Sequence, residues 1–569
     1  MIPSLPTDAR RPQLRWFVHV FLAACLLAPS IWMLATIPPL WRDVDAYNQV
    51  THSPAMATYW GNGALYCFAS RVPLKIGAAI GPAAPGPTPP LLQPRLTDSG
   101  VLLLVGSQHL ALVGAAFFFI ITISSLAWVR LALGIVWMAL APLYTFSQCV
   151  GSETLSMIGV VVLAALGWRI VQRERTSRRT WVLYHLALLA CLLTRYVNLW
   201  LILLLPATFL LAWLQTRLQM LSAPRQIRQR LAVGLGWKLR RALLALACGM
   251  CCIAASNISV RVVCHLAHLR FHSHAGPTFL WRLAFLKDLP AAERNQLLDR
   301  VASRVRSPDA RQLLGLLRQT FDRGDNLDPA VFRQEARAFL SGPLTQRRGG
   351  GRTARALNEM AAAFLKPPTA AHLRAARYDF ARARRMTPRD IDDSLFRATA
   401  FYFEHPDLMP QSAKLVTFRE SSAQTINQIP KDHHYFGLGR SLSYNRCFVL
   451  WVSLLALMLI LARKDSAAMR VVPYAIALTG AGIVMMFSTC LLGELLPRYT
   501  LPMWELLVVS IFMLVGGALE ACVRLAKTAG VRPALRRAET TQPSPGQLPA
   551  FQSFRRDCRA MSPSLPCRR

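Results

Sequence analysis

The stretch WFVHVFLAACLLAPSIWMLATI, residues 16–37, contains no Lys, Arg, Asp or Glu and follows a start that holds Arg10, Arg11 and Arg15. A helix needs about 20 apolar residues to cross the hydrocarbon core of a bilayer, and the apolar part of a cleavable leader is shorter. The stretch therefore reads as a retained membrane span, despite its leader-like basic start. Working outward with a window of roughly 19 residues, the same signal returns at 101–128, 131–147, 154–171, 181–194, 196–214, 242–264, 446–462, 471–492 and 500–523. The expected fold class is an all-α polytopic membrane protein of about ten transmembrane helices, with a large exterior and mainly helical insertion.

A net charge of +36 on a chain that is 53% hydrophobic excludes both a disordered polycation and an ordinary soluble enzyme. The Lys and Arg flank apolar stretches and form no basic face with interleaved aromatics, which argues for membrane lipid and against nucleic acid as a partner. Short cytoplasmic loops should carry the positive charge. Arg173, Arg175, Arg178 and Arg179 follow the fourth stretch, Arg217 to Arg241 follow the sixth, and Arg463, Lys464 and Arg470 follow the eighth, while residues 148–153 hold none. Both termini are thereby expected in the cytoplasm. The Arg- and Ala-rich composition and the ending Cys567-Arg568-Arg569, which is no retrieval signal, favour a bacterial inner membrane. Cys25, Cys191, Cys248, Cys251, Cys252 and Cys490 lie inside apolar stretches, where Cys acts as a small hydrophobe, so no disulfide framework is expected.

The chain divides into a transmembrane region with the first exterior acidic loop (1–264), an exterior insertion (265–445), a second transmembrane region (446–523) and a basic tail (524–569). Long loops translocate largely regardless of charge, so the many Arg of 265–445 do not bar an exterior position. Leu297-Leu298 with Val301 and Val305, and Leu313-Leu314 with Leu317 and Phe321, recur at helical spacing. The run Arg347-Arg348-Gly349-Gly350-Gly351-Arg352 lacks the Gly-Lys-Ser/Thr ending of a phosphate loop and reads as a flexible linker between two halves. The tail after about 524, with Pro533, Pro543, Pro545 and Pro549, reads as disordered, and the Pro-rich 79–96 as an irregular extended piece outside the membrane.

This topology gathers the conspicuous charges at the exterior rim: Asp43 and Asp45 after the first span, Glu153 before the fourth, Arg195 after the fifth, and Glu494 and Arg498 before the last. Buried charge in a bilayer is costly, so a cluster of it points to a polar substrate. A carboxylate at the lip of a lipid-facing cavity serves as a general base or holds a divalent cation beside a phosphate. The plainer reading of Asp43 and Asp45 is a solvated loop paired with Arg42. Glu153 follows Ser152 at a helix start, where an acid is welcome in any case. Arg195 either binds a lipid phosphate or snorkels to the interface. Arg498-Tyr499 offers a guanidinium fork for phosphate oxygens and a ring for an adjoining sugar, or is an interfacial anchor. Cys264, His265, His268, His272 and His274 have ligand-like spacing, but the sequence fixes no second ligand group and no metal site is assigned.

Asp-x-Asp-Ala-Tyr (43–47), Ser-Glu-x-Leu (152–155), Leu-Thr-Arg-Tyr (193–196) and Arg-Tyr-x-Leu-Pro (498–502) together resemble the polytopic GT-C glycosyltransferases, particularly the protein O-mannosyltransferase and aminoarabinose-transferase branch. The resemblance implies an inverting membrane glycosyltransferase that moves a sugar from a polyprenyl-phosphate donor to an acceptor at the exterior face. It implies Asp45 as the catalytic carboxylate with Asp43 its neighbour, Glu153 as a second acid, and Arg195 and Arg498 facing the donor phosphate, with Glu494 and Tyr499 in the same substrate-binding group. Asp-Val-Asp departs from the commoner Asp-Glu doublet, which leaves the choice between Asp43 and Asp45 open. The insertion lacks the β-rich character of the mannosyltransferase accessory domain and lends the likeness nothing. No cofactor is required, although a divalent cation is compatible with the set. Two other classes compete. A lipid or small-molecule transporter calls for ionisable residues at mid-span and repeating halves, whereas the charges here lie at rims. A non-catalytic membrane assembly protein would use 265–445 to bind a partner.

Overall fold

The computed structural model describes residues 11–540, apart from 53–55, 58–63, 82–94, 174–175, 223–224, 267, 269–274, 324–328, 342–348, 439–441 and the positions 466 and 494. The first span is α1 (Arg11–Thr36), which leads into the two-residue strand β1 (Leu40–Trp41) and the short α2 (Val44–Thr51). After α3 (Asp98–Ile123) the chain forms α4 (Ala127–Met138) and α5 (Ala141–Ser147), bent by 65° where the sequence predicts one span over 131–147. Pro142 opens α5, and a proline there has no N–H with which to continue the preceding helix. Next come β2 (Cys149–Val150), α6 (Ser152–Gln172), α7 (Arg178–Thr194), α8 (Leu204–Ser222) and the 42-residue α9 (Arg225–Leu266).

Within the insertion, α10 (Pro308–Asp322), α11 (Gly349–Leu365), α12 (Ala370–Ala383) and α13 (Pro388–Glu404) are the longer helices. The chain closes with α14 (Tyr444–Ala462), α15 (Ala468–Leu492) and α16 (Leu501–Thr540). Among the described residues eight helices are long and apolar enough to cross a membrane, or nine if the bent pair is one span. The count of ten is not reached because α7, with 17 residues, is about 25 Å long against a hydrocarbon core of about 30 Å.

The spans share one apolar core, in which Leu26, Phe119, Trp137, Val161, Tyr474 and Phe512 are buried. Polar pins cross it. Trp451 Nε1 donates to Ser510 Oγ at 2.7 Å and that hydroxyl donates to the Ala475 carbonyl at 3.0 Å, so one serine joins α14, α15 and α16.

The insertion is helical, and it is divided, but not by the glycine run. Phe279, Leu298, Leu313, Phe332, Leu357 and Phe364 form a core of their own, whereas Ile391, Leu395, Phe396 and Ala400 of α13 belong to the core of the membrane bundle. Gly349 begins α11, and Arg352 Nη2 lies 2.6 Å from Asp309 Oδ1 on α10. The expected linker is thus, from Gly349 on, the first turn of a tethered helix, and 342–348 fall outside the described residues. The tail expectation also needs correction: α16 continues through Thr540, in keeping with the strong helix formers Ala, Leu and Arg after 524. The rest of the tail, from 541, and most of the Pro-rich piece, 82–94, fall outside the described residues.

Candidate functional site

Two loops that lie far apart in sequence are fastened together before any charge is placed. β1 pairs with β2 in parallel, with Leu40 opposite Cys149 and Trp41 opposite Val150. Gln148 Nε2 donates to the Ile37 carbonyl at 2.5 Å, and the Leu40 N–H donates to the Gln148 carbonyl at 3.0 Å. On the other side Gln49 and Ser152 exchange hydrogen bonds at 3.2 and 3.3 Å. The Tyr66 hydroxyl accepts from the Gly151 N–H at 2.9 Å and donates to Gln108, whose amide donates in turn to the carbonyls of Ser147 and Cys149. The insertion adds a third fastening. Thr399 Oγ1 on α13 accepts from the Trp41 N–H at 3.0 Å and lies 3.1 Å from the Trp41 carbonyl.

These fastenings hold a five-membered ionic cluster. Asp43 caps α2, its Oδ1 accepting from the Ala46 N–H at 2.8 Å. The same oxygen lies 2.9 Å from Arg42 Nη2, and Oδ2 lies 3.0 Å from Arg498 Nη2. Arg42 and Arg195 both pair with the Glu153 carboxylate. Arg42 and Glu153 are each only 6% exposed, so neither is a surface ion. A side chain at Gly151 would bring its Cβ within 3.0 Å of Glu153 Oε2, which explains glycine there. The guanidinium groups of Arg195 and Arg498 lie 5.7 and 5.2 Å from the Tyr499 ring centroid.

Burial pushes the Asp43 carboxyl up, but Arg42 and Arg498 outweigh it and hold the group below its ordinary value. Burial likewise works against the charge on Arg42, and Asp43 and Glu153 restore it. Three guanidiniums against two carboxylates leave the cluster one positive charge in excess. Forked guanidiniums of this kind match phosphate oxygens as well as carboxylate oxygens in geometry and charge.

Beside the cluster a narrow cleft of about 20 Å³, room for little more than a water molecule, is lined by Glu153, Ser156, Arg195, Arg498, Tyr499 and Glu505, among others. Glu505 lies inside the last span, is 2% exposed, and its Oε1 has no hydrogen-bond partner among the described residues. This corrects the expectation that charges lie only at rims. One acid barely moves a window whose mean hydropathy, 2.3, is the highest of the candidate spans, and so a hydropathy reading passes over it. A second cleft of about 300 Å³ has Arg42, Arg397 and Arg498 in its wall.

Of the residues singled out from sequence, Asp43, Glu153, Arg195 and Arg498 come together, with Tyr499 beside them. Asp45 stands exposed in the first turn of α2. Glu494 lies outside the described residues, as do His272 and His274. Among the described residues no group of three or more His, Cys, Asp or Glu is placed so that it could hold a metal ion. A magnesium ion commonly uses only one or two carboxylates beside a substrate phosphate, so this does not bear on a divalent cation held that way. Sequence reasoning treated Arg42 only as a loop partner, whereas it joins both carboxylates. Its position next to Asp43 was the available signal. No family model, curated protein or solved structure matches the chain.

Proposed function

We propose that the protein is an inverting membrane glycosyltransferase that takes a sugar from a polyprenyl-phosphate donor at the exterior face. The observation that carries this reading is the convergence of Arg42, Asp43, Glu153, Arg195 and Arg498 from four separate segments onto one buried cluster at the mouth of a cleft between spans. In this reading ten spans, with α7 and the bent pair each crossing, leave both termini in the cytoplasm of a bacterial inner membrane. Arg195 and Arg498 hold the donor phosphate, and Tyr499 borders the sugar. An acceptor hydroxyl attacks the anomeric carbon from the face opposite the phosphate. The new carbon–oxygen bond forms as the bond to phosphate breaks, the proton passes to an exterior carboxylate, and the arginines stabilise the charge that grows on the leaving phosphate. Asp43 adjoins the arginines, while Asp45 is the more open to an acceptor, and both remain candidates for that carboxylate.

The test is transfer of radiolabelled sugar from a panel of polyprenyl-phosphate donors by the purified chain in lipid. Arg498→Ala, Asp43→Asn and Asp45→Asn are compared with the wild type. Loss of turnover in Arg498→Ala and in one aspartate variant, with membrane insertion retained, supports the reading and names the carboxylate. Failure of the wild type to bind or turn over any donor rejects it.

Glu505 favours a second reading, a transporter of anionic lipid or of a small molecule, because an ionisable residue within a span is what such a mechanism needs. Uptake or flipping in reconstituted vesicles that is lost in Glu505→Gln, without any donor turnover, would select it.

A further inference from the structure

The exterior insertion places a run of arginines beside the cluster that the glycosyl-transfer reading does not use. The 300 Å³ cleft beside Arg42 and Arg498 adjoins another of about 570 Å³, and the two share Ser394, Arg397 and Pro497 in their walls. The larger cleft adds Arg382 and Arg385 from the end of α12 and just beyond it, so that three insertion arginines face the route to the cluster. Asp390 is the acid in that wall, and it is occupied elsewhere. It caps its own helix, accepting from the Thr387 N–H at 2.7 Å and the Thr387 hydroxyl at 2.8 Å. Among the described residues Arg397 has one distant ion pair, 4.0 Å to Asp393, on a side chain that is 77% exposed. The N-terminus of the 17-residue α13 opens at the same place and adds the positive end of its dipole.

Positive groups that neither pair closely with one another's counterions nor pack away from water create a standing potential along the trough, and a trough that ends at the cluster concentrates anions there. Arginine forks select phosphate or carboxylate oxygens by geometry as well as charge. We infer that the insertion supplies an acceptor subsite: Arg382, Arg385 and Arg397 bind an anionic group, phosphate in the first instance, on the molecule that receives the sugar. The inference rests on the glycosyltransferase reading for the word acceptor, but the anion site itself does not.

The same phosphate chemistry occurs on a lipid headgroup and on a soluble molecule. The experiment therefore uses the full chain in phosphatidylcholine nanodiscs with two probes, inorganic pyrophosphate in solution and phosphatidic acid doped into the bilayer. Wild type is compared with the triple variant Arg382→Gln/Arg385→Gln/Arg397→Gln and with Arg397→Glu alone. A lost charge-assisted hydrogen bond is worth about tenfold in affinity, so the triple variant should weaken binding of at least one probe by more than about tenfold. Arg397→Glu should weaken it too, and salt should weaken it in the wild type. Binding of a polyprenyl-phosphate sugar should be unchanged in both variants. Loss confined to pyrophosphate assigns a soluble acceptor, and loss confined to phosphatidic acid a lipid one. Equal affinity of wild type and triple variant for both probes overturns the subsite. Failure of the wild type to bind the donor, with anion binding intact and sensitive to the arginines, overturns the glycosyltransferase reading and leaves the anion site standing.

Discussion

Glu153 is buried and Asp43 half-buried beside three arginines, whereas Asp392 on α13 and Glu505 on α16 are buried with no arginine paired to them among the described residues. All four are acids withdrawn from water, and the fold treats them in opposite ways. In the cluster, charge is kept and compensated. For Asp392, burial pushes the carboxyl well above its ordinary range, the Thr145 hydroxyl opposes this, and Asp393 adds to it. The contrast separates acids that are held ionised for use from an acid whose neutral form the fold prefers. It also makes the energetic sign of a substitution depend on which region it falls in.

The largest test of the contrast is Arg42→Ala. It takes one of two arginines from each carboxylate, leaving Asp43 to Arg498 and Glu153 to Arg195, and because losing a partner of a buried ion costs up to about 3–5 kcal/mol the thermal transition in detergent should fall well below that of the wild type. A transition unchanged from wild type would mean that the cluster is water-filled rather than buried. Thr399→Val removes the hydroxyl that meets the Trp41 backbone from α13, with an expected loss of about 1–3 kcal/mol from an unsatisfied buried group. Limited proteolysis should then release the insertion from the bundle sooner than it does in the wild type.

The pH dependence should run in two directions. Asp43 has a lowered folded value, so its contribution is present above the ordinary carboxylate value of about 3.9 and is lost as pH falls below it. Asp392 has a raised one, so its neutral form stabilises at low pH and that contribution is lost as pH rises from about 3.9 upward. Asp392→Asn should therefore be stabilising at neutral pH, by about 1 kcal/mol, and should flatten the upper limb of the stability profile. A destabilised Asp392→Asn would show that the carboxyl is ionised and partnered. The smallest effect is expected of Arg195→Lys, which keeps a charge for Glu153 and loses the flat group near Tyr499, at a cost of about 0.5–1 kcal/mol. A larger loss would show that the fork geometry itself holds Glu153.

The bundle and the charges at the ends of its spans were legible in the sequence because both are one-dimensional signals. Apolar windows find spans, and Lys/Arg asymmetry orders them. What escaped was whatever depends on neighbours distant in the chain. The bend at Pro142 splits a stretch that is continuous in composition. The halves of the insertion separate according to which core they join, and no local pattern at Leu395 or Phe396 announces that their partners are in the membrane region. Asp43 and Asp45 look equivalent two residues apart, and only the N-cap of α2 turns the first toward Arg498 and leaves the second exposed. Glu505 was hidden by the hydrophobicity of its own span.

The two-residue bridge between Leu40–Trp41 and Cys149–Val150, with Thr399 bracketing it, has a consequence for how the protein is made. Arg42 meets Glu153 only after 111 further residues have been added, and Trp41 meets Thr399 only after 358. At roughly 5–20 residues per second the second interval is roughly 20 to 70 s of ribosome time. During that wait the loop after the first span has emerged with its ions already in hand, since Arg42 and Asp43 are adjacent and pair with each other. The nascent loop thus travels as a nearly neutral unit, and the later arrivals, Glu153, Arg195 and Arg498, convert that local pair into the finished cluster one span at a time.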